Sequence, residues 1–370
     1  MHNIAIDRQF MRRAIELAKK GLFSTDPNPH VGCVIAQGDR IIAEGWHEKA
    51  GNQHAEIIAL ESAQESVSGA TCYVTLEPCS HHGRTSPCSD ALIEAGIKRL
   101  VVGMEDPNPQ VCGQGLARIK AAGIDVEVGL MEAECRDLNP GFIKRMQTGI
   151  PWVTCKLAMS IDGRTAMASG ESQWITCKQS RRDIQLLRAR SSAIITGSGT
   201  VNFDNPSMNA RQEDFSNTYH QQLPLLQPWR VIMDSQLSVQ PDAKIFSLPG
   251  RIIWVTTKKV EAAKNNDQLT MLQLSPDQHG RVSADLLLKW LADQGCNEVM
   301  IEAGAKLSGT FINAGLVDRL IIYMAPKILG DEARGLLHLP DIEKLSQAKH
   351  FKLLSTRMVG TDICLTYEKE

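Results

Sequence analysis

The fold of this chain is decided by His54-Ala-Glu56, by Thr75-Leu-Glu-Pro-Cys79 and by Cys88, nine positions later. The first segment opens a predicted helix, Cys79 follows a predicted strand, and Cys88 opens the next helix. Cysteine thiols ionise more readily at such junctions, because a helix N-terminus favours negative charge. One imidazole and two thiolates hold a zinc ion and leave its fourth position for water. The spacing therefore predicts a catalytic zinc site with ligands His54, Cys79 and Cys88, beside which Glu56 moves protons.

The same residues have other interpretations. Taken alone, His54 is a histidine at a helix start, and a chain with ten histidines contains His-x-Glu pairs by chance. His81 and His82, in the long loop between the cysteines, are alternative ligands or substrate contacts. A structural or nucleic-acid-binding zinc module would fill the fourth position with a further ligand. The order His, Glu, Cys, Cys favours instead the hydrolysis of an amino group on a ring.

Composition and charge limit the remaining choices. The 370 residues indicate two domains, and 43% hydrophobic with 22% charged residues is ordinary for a globular protein. A formal net charge of −2 gives no reason to expect a nucleic-acid partner. No apolar run approaches the roughly 20 residues that span a bilayer, and the first helix, over residues 6–20, lacks a signal-peptide pattern. The lack of both patterns indicates a cytoplasmic location, and ten cysteines in a cytoplasmic chain of this length argue against a disulfide framework.

Helix and strand signals alternate through the first part of the chain. Apolar periodicity and glycine stops predict helices over residues 6–20, 54–63, 88–95 and 115–122. Strands are predicted over residues 31–35, 40–44, 71–76, 99–103 and 125–129. This order predicts an α/β fold in which helices cover a sheet with parallel crossovers.

A domain boundary is predicted between residues 147 and 148, so that one domain spans 1–147 and a second spans 148–370. In the second part, strands are predicted over 151–160, 193–196, 230–234, 251–255, 298–302 and 319–323, and helices over 179–189, 285–294 and 306–314. Residues 352–354 and 363–367 predict a final antiparallel pair. The polar, turn-rich residues 212–227 predict a long surface loop.

The residues around the predicted zinc site resemble one family closely. Asp26-Pro-Asn-Pro-His-Val-Gly32, Gly45-Trp-His47, His54-Ala-Glu56 and the run from Thr75 to Cys88 resemble the bacterial bifunctional riboflavin-biosynthesis deaminase–reductases. Cytidine and tRNA-adenosine deaminases mostly have a shorter spacing between their cysteines. The resemblance implies a cytidine-deaminase-like, three-layer α/β/α domain. It also implies a diaminopyrimidinone substrate that carries a phosphoribosylamino group.

The same resemblance implies roles for individual residues of the first domain. Glu56 would be the catalytic acid and base of the hydrolysis. Asn28 would hydrogen-bond the ring edge of the substrate, and the loop with His82 and Arg84 would meet its phosphate. From the residues alone, Asn28 between two prolines can also be a turn former, and Arg84 a solvated loop charge.

Glycine turns in the second part are weak signals by themselves. No Gly-x-Gly-x-x-Gly follows a predicted strand, so a Rossmann dinucleotide site is not supported. Gly197-Ser-Gly199 follows a strand, and a second glycine segment, from Glu302 to Gly309, lies between a strand and a helix. Backbone N–H groups at such a junction suit a pyrophosphate, although a tight turn gives the same pattern.

The second part resembles the reductase domain of the same family, through residues 156–163, 169–176, 197–200, 204–206 and 302–304. The resemblance implies a dihydrofolate-reductase-like α/β domain that uses NADPH to convert a ribosylamino group to a ribitylamino group. The residues implied in NADPH binding are Ala158, Trp174, Thr200, Asp204, Ser235 and Gly304. Those implied in substrate binding are Ser172, Arg188, Arg211 and Glu302. Two guanidinium groups suit a sugar phosphate, although Arg188 can also lie on the solvated face of its helix.

Together, the residues and the resemblance predict a two-domain enzyme with Zn²⁺ and NADPH as cofactors. Its substrate would be a small phosphorylated pyrimidine, deaminated first and then reduced to 5-amino-6-(5-phosphoribitylamino)uracil, with neither nucleic acid nor membrane as a partner. A homodimer is implied by the family alone. The main rival is a nucleoside or base deaminase joined to a folate-type reductase, and the long loop from Cys79 to Cys88 argues against it.

Overall fold

The computed structural model describes residues 3–80, 87–109, 111–215, 218–260, 267–340 and 342–370. The chain divides into two compact units. The first unit comprises Met1–Gly149 and Leu223–Leu226, and the second comprises Ile150–Gln222 and Gln227–Glu370.

The first unit alternates helices and strands as the sequence predicts. Its elements are α1 Ile4–Ala18, β1 Gly32–Gln37, β2 Arg40–Trp46, α2 Ala55–Ser62, β3 Thr71–Val74, α3 Cys88–Glu94, β4 Arg99–Val102, α4 Gln114–Ala121, β5 Asp125–Val128, α5 Glu132–Leu138 and α6 Pro140–Thr148. Helix α1 begins at Asn3, whose side-chain oxygen accepts a hydrogen bond from the Ala5 N–H. The predicted helices and strands are confirmed, with ends shifted by a few residues.

The five strands of the first unit form one sheet in the order β2-β1-β3-β4-β5. Strand β1 is antiparallel to β2 and β3, whereas β3, β4 and β5 run parallel. Side chains alternate across the sheet, so Val34 and Val101 pack with α1 and α5, while Cys33 and Leu100 face α2, α3 and α4. The result is the predicted three-layer α/β/α arrangement.

The second unit contains the remaining elements of the chain. They are β6 Trp152–Ser160, β7 Arg164–Ala166, α7 Lys178–Arg190, β8 Ala193–Gly197, α8 Ser198–Asp204, α9 Thr218–Gln222, β9 Trp229–Met233, α10 Lys244–Ser247, β10 Ile252–Thr256, β11 Leu269–Gln273, α11 Ala284–Asp293, β12 Glu298–Ile301, α12 Ala305–Asn313, β13 Arg319–Ala325, β14 Arg334–Gly335, β15 Phe351–Val359 and β16 Asp362–Lys369. The sequence analysis missed α8 and β11, and it missed the short antiparallel pair of β7 and β14.

Nine strands form the main sheet of the second unit, in the order β11-β10-β9-β8-β12-β6-β13-β16-β15. The first seven run parallel, and β16 and β15 close the sheet as the predicted antiparallel pair. Leu287 of α11 and Phe311 of α12 pack on one face with Val153 and Ile195. On the other face, α8 and α10 pack on a cluster that includes Ile232. Both faces of the parallel strands are therefore buried, as parallel sheets require.

The prediction of one long loop over residues 212–227 is wrong in part. A 3₁₀ helix, Gln212–Asp214, and α9 lie within it, and the Phe215 side chain is buried. Leu226 donates a backbone hydrogen bond to the Phe23 carbonyl, 2.7 Å away, and belongs with the first unit. The polar composition of the segment concealed the buried Phe215 side chain and this backbone contact of Leu226.

Two further properties bear on the sequence predictions. Cys33, Cys72, Cys155 and Cys364 are buried, and all ten cysteines of the chain are free thiols. Within the described residues, no helix combines the length and the apolar character that crossing a membrane requires.

Candidate functional site

The three predicted metal ligands lie together in the first unit. His54 caps the start of α2, Cys88 is the first residue of α3, and Cys79 follows β3. The His54 Nδ1 atom lies 3.2 Å from Cys88 Sγ and 3.5 Å from Cys79 Sγ, and all three ligand atoms lie within 4.8 Å of one another. Zinc bonds of about 2.3 Å to sulfur and 2.05 Å to nitrogen, at tetrahedral angles, place such atoms roughly 3.6 Å apart. The donor set and its spacing therefore fit zinc.

The surroundings of Cys79 favour its thiolate form. Hydrogen bonds with the Cys88 and His54 side chains lower the pKa of the Cys79 thiol to about 4. The backbone N–H of Cys88 also donates to Cys79 Sγ, 3.4 Å away, and the Ser89 N–H donates to the Cys79 carbonyl. The start of α3 thus holds the second ligand as well as supplying the third.

Glu56 lies in the first turn of α2, two residues after the His54 ligand. Its side chain is only 3% exposed, and burial raises its pKa to about 7. A carboxyl group with a pKa near neutrality can both accept and return a proton at ordinary pH. The predicted catalytic residue is thus placed beside the ligand cluster without belonging to it.

Glu77 is a buried residue that the sequence analysis quoted without giving it a role. Its Oε2 accepts hydrogen bonds from the backbone N–H groups of Asp106 and Gly113, and its Oε1 accepts from those of Gly115 and Leu116, over 3.0 to 3.4 Å. This carboxylate ties the segment before Cys79 to the start of α4. In the sequence, the position of this glutamate directly before Pro-Cys was the feature that could have indicated its role.

Asn28 and His47 form a second polar pair in this unit. Asn28 Nδ2 lies 3.0 Å from His47 Nε2, and His47 Nδ1 lies 2.9 Å from the Gln53 carbonyl oxygen. The His47 ring also meets the His54 ring edge-on, with centroids 5.6 Å apart. His47 thus connects the predicted ring-edge residue Asn28 to the predicted ligand His54. The predicted phosphate residues His82 and Arg84 lie outside the described residues.

In the second unit, the predicted contact residues collect at one edge of the nine-stranded sheet. Ala158 lies near the end of β6, Thr200 follows β8, Ser235 follows β9, and Gly304 follows β12. These strands are parallel neighbours, so their carboxyl ends share one edge. The Gly304 N–H donates to Thr200 Oγ1, 3.3 Å away, which joins two of the predicted NADPH contacts directly.

The charged residues predicted to bind substrate are paired within this unit. Arg188 donates two hydrogen bonds to Glu302, of 2.9 and 2.8 Å, and a third to the Asn209 carbonyl. Arg211 pairs with Asp214 over 2.7 Å. Burial alone would raise the pKa of Glu302, but the Arg188 and Lys156 charges outweigh it and hold the pKa at about 2. Arg188 therefore does not lie on a solvated helix face.

The remaining predicted residues lie in the segment before α7 and in α8. Ser172 Oγ donates to Asp204 Oδ1 over 2.9 Å, so a predicted substrate contact and a predicted NADPH contact bind each other. The Trp174 ring is 61% exposed, with the Arg181 guanidinium 4.5 Å from its centroid.

Lys156 was not predicted to have a role of its own. Its Nζ lies 3.8 Å from Glu302 Oε1, its side chain is largely buried, and burial lowers its pKa. It adds a second positive charge beside Glu302. Lys156 lies on β6, and Glu302 directly follows the neighbouring strand β12, so the order of strands in the sheet would have indicated this contact.

Two family models match this chain over most of its length. The cytidine and deoxycytidylate deaminase zinc-binding region matches residues 4–104, and the RibD C-terminal domain matches residues 151–365. The division between the two matches agrees with the separation of zinc ligands and sheet-edge residues described above.

Whole-chain relatives are similar over both units. The riboflavin biosynthesis protein RibD of Escherichia coli K12 is 50% identical over 97% of this chain and 98% of its own length. The solved structure of Acinetobacter baumannii RibD, form 1, superposes with a TM-score of 0.90 at 44% identity and covers 100% of both chains. A Thermotoga maritima diaminohydroxyphosphoribosylaminopyrimidine deaminase/5-amino-6-(5-phosphoribosylamino)uracil reductase superposes with a TM-score of 0.87 at 33% identity, again over 100% of both.

Proposed function

Because this chain belongs to the family of bifunctional riboflavin-biosynthesis deaminase–reductases, we propose how its two units divide the work. The chain is a zinc-dependent deaminase and an NADPH-dependent reductase of riboflavin biosynthesis. Its substrate is 2,5-diamino-6-(5-phosphoribosylamino)pyrimidin-4-one, as the name of the Thermotoga relative supports. The observation that carries the proposal is the convergence of His54, Cys79 and Cys88 around one point, with Glu56 beside it.

Deamination is assigned to residues 1–147. His54, Cys79 and Cys88 would hold the zinc ion, which when bound supplies an activated water. Glu56 accepts a proton from the water and delivers one to the departing ammonia, a cycle that its raised pKa supports. Asn28 contacts the ring edge. His82 and Arg84 complete the proposal as contacts of the phosphate.

Reduction is assigned to residues 148–370. NADPH, when bound, supplies the hydride that reduces the sugar C1. Its contacts are Ala158, Trp174, Thr200, Asp204, Ser235 and Gly304. Substrate contacts are Ser172, Arg188, Arg211 and Glu302. Arg188 and Arg211 each have a carboxylate partner. Each can therefore donate to the phosphate only through N–H groups that are not already hydrogen-bonded to that partner.

The proposed assembly is a cytoplasmic homodimer without nucleic-acid or membrane partners. Strand β15 supports the dimer, because it is the outermost strand of the nine-stranded sheet and is nine residues long. Leu353, Leu354 and Met358 on this strand are exposed. A long edge strand with exposed apolar side chains can pair with another chain. Sedimentation of the wild type and of Met358→Lys tests this, with a dimer expected for the first and a shift toward monomer for the second.

The reaction order is tested by one coupled assay. Ammonia release is followed first and NADPH oxidation second, with and without a zinc chelator. We expect the chelator to abolish ammonia release from the diamino substrate while the deaminated intermediate, added directly, is still reduced. Oxidation of NADPH before any ammonia appears would contradict the order.

The rival function is tested with different substrates. Cytidine and dihydrofolate replace the diaminopyrimidine phosphate in the same assay. Turnover of either at a higher rate than the proposed substrate would favour a nucleoside deaminase joined to a folate-type reductase.

A further inference from the structure

The Asn28 side chain is bound by a histidine that itself has only one chemically consistent arrangement. His47 is 3% exposed, and its two ring nitrogens have different partners. Nδ1 lies 2.9 Å from the Gln53 carbonyl oxygen, and Nε2 lies 3.0 Å from Asn28 Nδ2. The Gln53 carbonyl determines which of the two ring nitrogens donates a hydrogen bond and which accepts one.

A carbonyl oxygen carries no proton, so the hydrogen bond to Gln53 requires an N–H at His47 Nδ1. A ring protonated at both nitrogens would turn an N–H donor toward the Asn28 NH₂ group 3.0 Å away, so this contact fits only the neutral imidazole. In a neutral ring with the proton on Nδ1, Nε2 is an acceptor. Asn28 must therefore present its NH₂ group to His47.

The orientation of the Asn28 amide fixes what its other side offers. With Nδ2 bound to His47, Oδ1 is the free end, and no described group donates a hydrogen bond to it. The turn that carries the residue is also held, because the Asn28 N–H donates to the Thr25 carbonyl over 2.8 Å. The edge-on contact between His47 and the ligand His54 places this amide close to the zinc centre.

We propose that His47 is a positioning residue that holds Asn28 Oδ1 toward the substrate, so that the deaminase subsite accepts a hydrogen bond from an N–H group on the ring edge. The proposal rests on the function proposed above. The subsite then binds a ring that carries an N–H or NH₂ donor on the edge beside the reacting carbon. A ring with only acceptors on that edge would place one of them against Asn28 Oδ1, which is itself an acceptor. Repulsion between two acceptors then discriminates against the wrong ring.

Two substitutions of His47 separate the two contacts of the ring. His47→Asn keeps an amide donor near the position of Nδ1 and removes the group at Nε2. His47→Gln places an amide oxygen near the position of Nε2 and keeps an acceptor for Asn28. We expect His47→Asn to raise the KM for ammonia release about tenfold with little change in kcat, and His47→Gln to restore most of the loss. His279→Asn, at an exposed histidine of the second unit, is the matched control.

An Asn28→Ala background shows whether His47 acts through Asn28. In that background His47→Asn should raise KM no further, because the amide that it orients is gone. Multiplying effects of the two substitutions would overturn the proposal. So would loss of zinc from His47→Asn with a normal KM for the zinc-loaded fraction.

Ammonia release by the wild-type protein distinguishes a failure of the His47 proposal from a failure of the proposed deaminase function. If wild-type protein released no ammonia from the diamino substrate, the proposed function would be wrong, and this subsite with it. If release were normal but the two substitutions multiplied, only the role of His47 would be wrong.

Discussion

The predicted zinc site of the first unit and the sheet edge of the second differ in how their polar groups are balanced. His54, Cys79 and Cys88 are three electron-pair donors within 4.8 Å of one another. In the second unit, Arg188 binds Glu302 and Ser172 binds Asp204. The first site brings together three electron-pair donors, whereas the second pairs hydrogen-bond donors or cations with carboxylates.

This difference separates chemistry from stability. Same-kind donors gain little from one another without a cation, so their placement indicates function directly. A buried ion pair also supports the fold around it, since removal of one partner leaves an uncompensated charge. Substitutions in the first site should therefore affect mainly rate, and those in the second should affect both rate and folding.

Glu56→Gln should give the largest effect and leave the first unit folded. The amide cannot carry the proton, so we expect ammonia release to fall by about 10³-fold, within the usual range for a general acid–base. Zinc content should stay unchanged, and the deaminated intermediate should still be reduced. Glu94→Gln, an exposed residue of α3, is the control. Ammonia release within tenfold of the wild type would remove Glu56 from the mechanism.

Arg188→Met should destabilise the second unit as well as slow reduction. Loss of one partner of a buried pair costs about 3 kcal/mol, at the lower end of the usual range because Lys156 remains beside Glu302. Urea unfolding followed by tryptophan fluorescence measures this, since five of the six tryptophans belong to the second unit. Arg182→Met, exposed on α7, is the control.

A double substitution sharpens the same result. Arg188→Met combined with Glu302→Leu removes both charges, so its cost should be smaller than the sum of the two single costs. An additive result would mean that the pair does not contribute as a unit.

The pH dependence of the second unit follows from Glu302. Its pKa is about 2 in the folded chain, below the ordinary value of about 4.3. A lowered pKa stabilises the folded state above the ordinary pKa, and this stability is lost as the pH falls from about 4.3 toward 2. We expect a loss of at most about 3 kcal/mol in urea unfolding across this range. Glu302→Gln should lack this part of the acid sensitivity, and an unchanged pH profile in the variant would contradict the assignment.

Glu77→Gln should give the smallest of these effects. Its carboxylate accepts four backbone hydrogen bonds, and an amide replaces one acceptor oxygen with a donor. We expect a cost of about 2 kcal/mol that is confined to the first unit. Amide hydrogen exchange at Gly113 and Gly115 measures it locally. Unchanged exchange there would show that backbone contacts alone hold the segment.

The sequence predicted that His54, Cys79 and Cys88 lie together, because the evidence for this cluster is local. His54 and Glu56 are two residues apart, and Cys88 opens a helix that ends at a glycine turn. Apolar periodicity likewise predicted the strands of both units. The missed strands β7 and β14 are two to three residues long, which is too short for a periodic pattern.

The pairing at the second site could not be predicted in the same way. Arg188 and Glu302 are 114 positions apart and meet only because β12 lies beside β8 and β6. The sequence showed two charged residues that suit a phosphate, but not that each already had a partner. The orientation of the Asn28 amide could not be predicted from the sequence either, since it depends on the hydrogen bond between His47 and the Gln53 carbonyl.

The position of β6 in its sheet has a consequence for synthesis on the ribosome. This strand is the first of its unit to emerge, yet its neighbours are β12 and β13, which end at Ile301 and Ala325. The sheet of the first unit, by contrast, is complete at Val128. Because non-local pairs must await their partners, the sheet of the first unit can form while most of the reductase is still being translated. Nascent chains of intermediate length would then carry a completed first sheet beside an apolar strand β6 that still lacks both of its neighbours, and such unpaired strands are prone to aggregation.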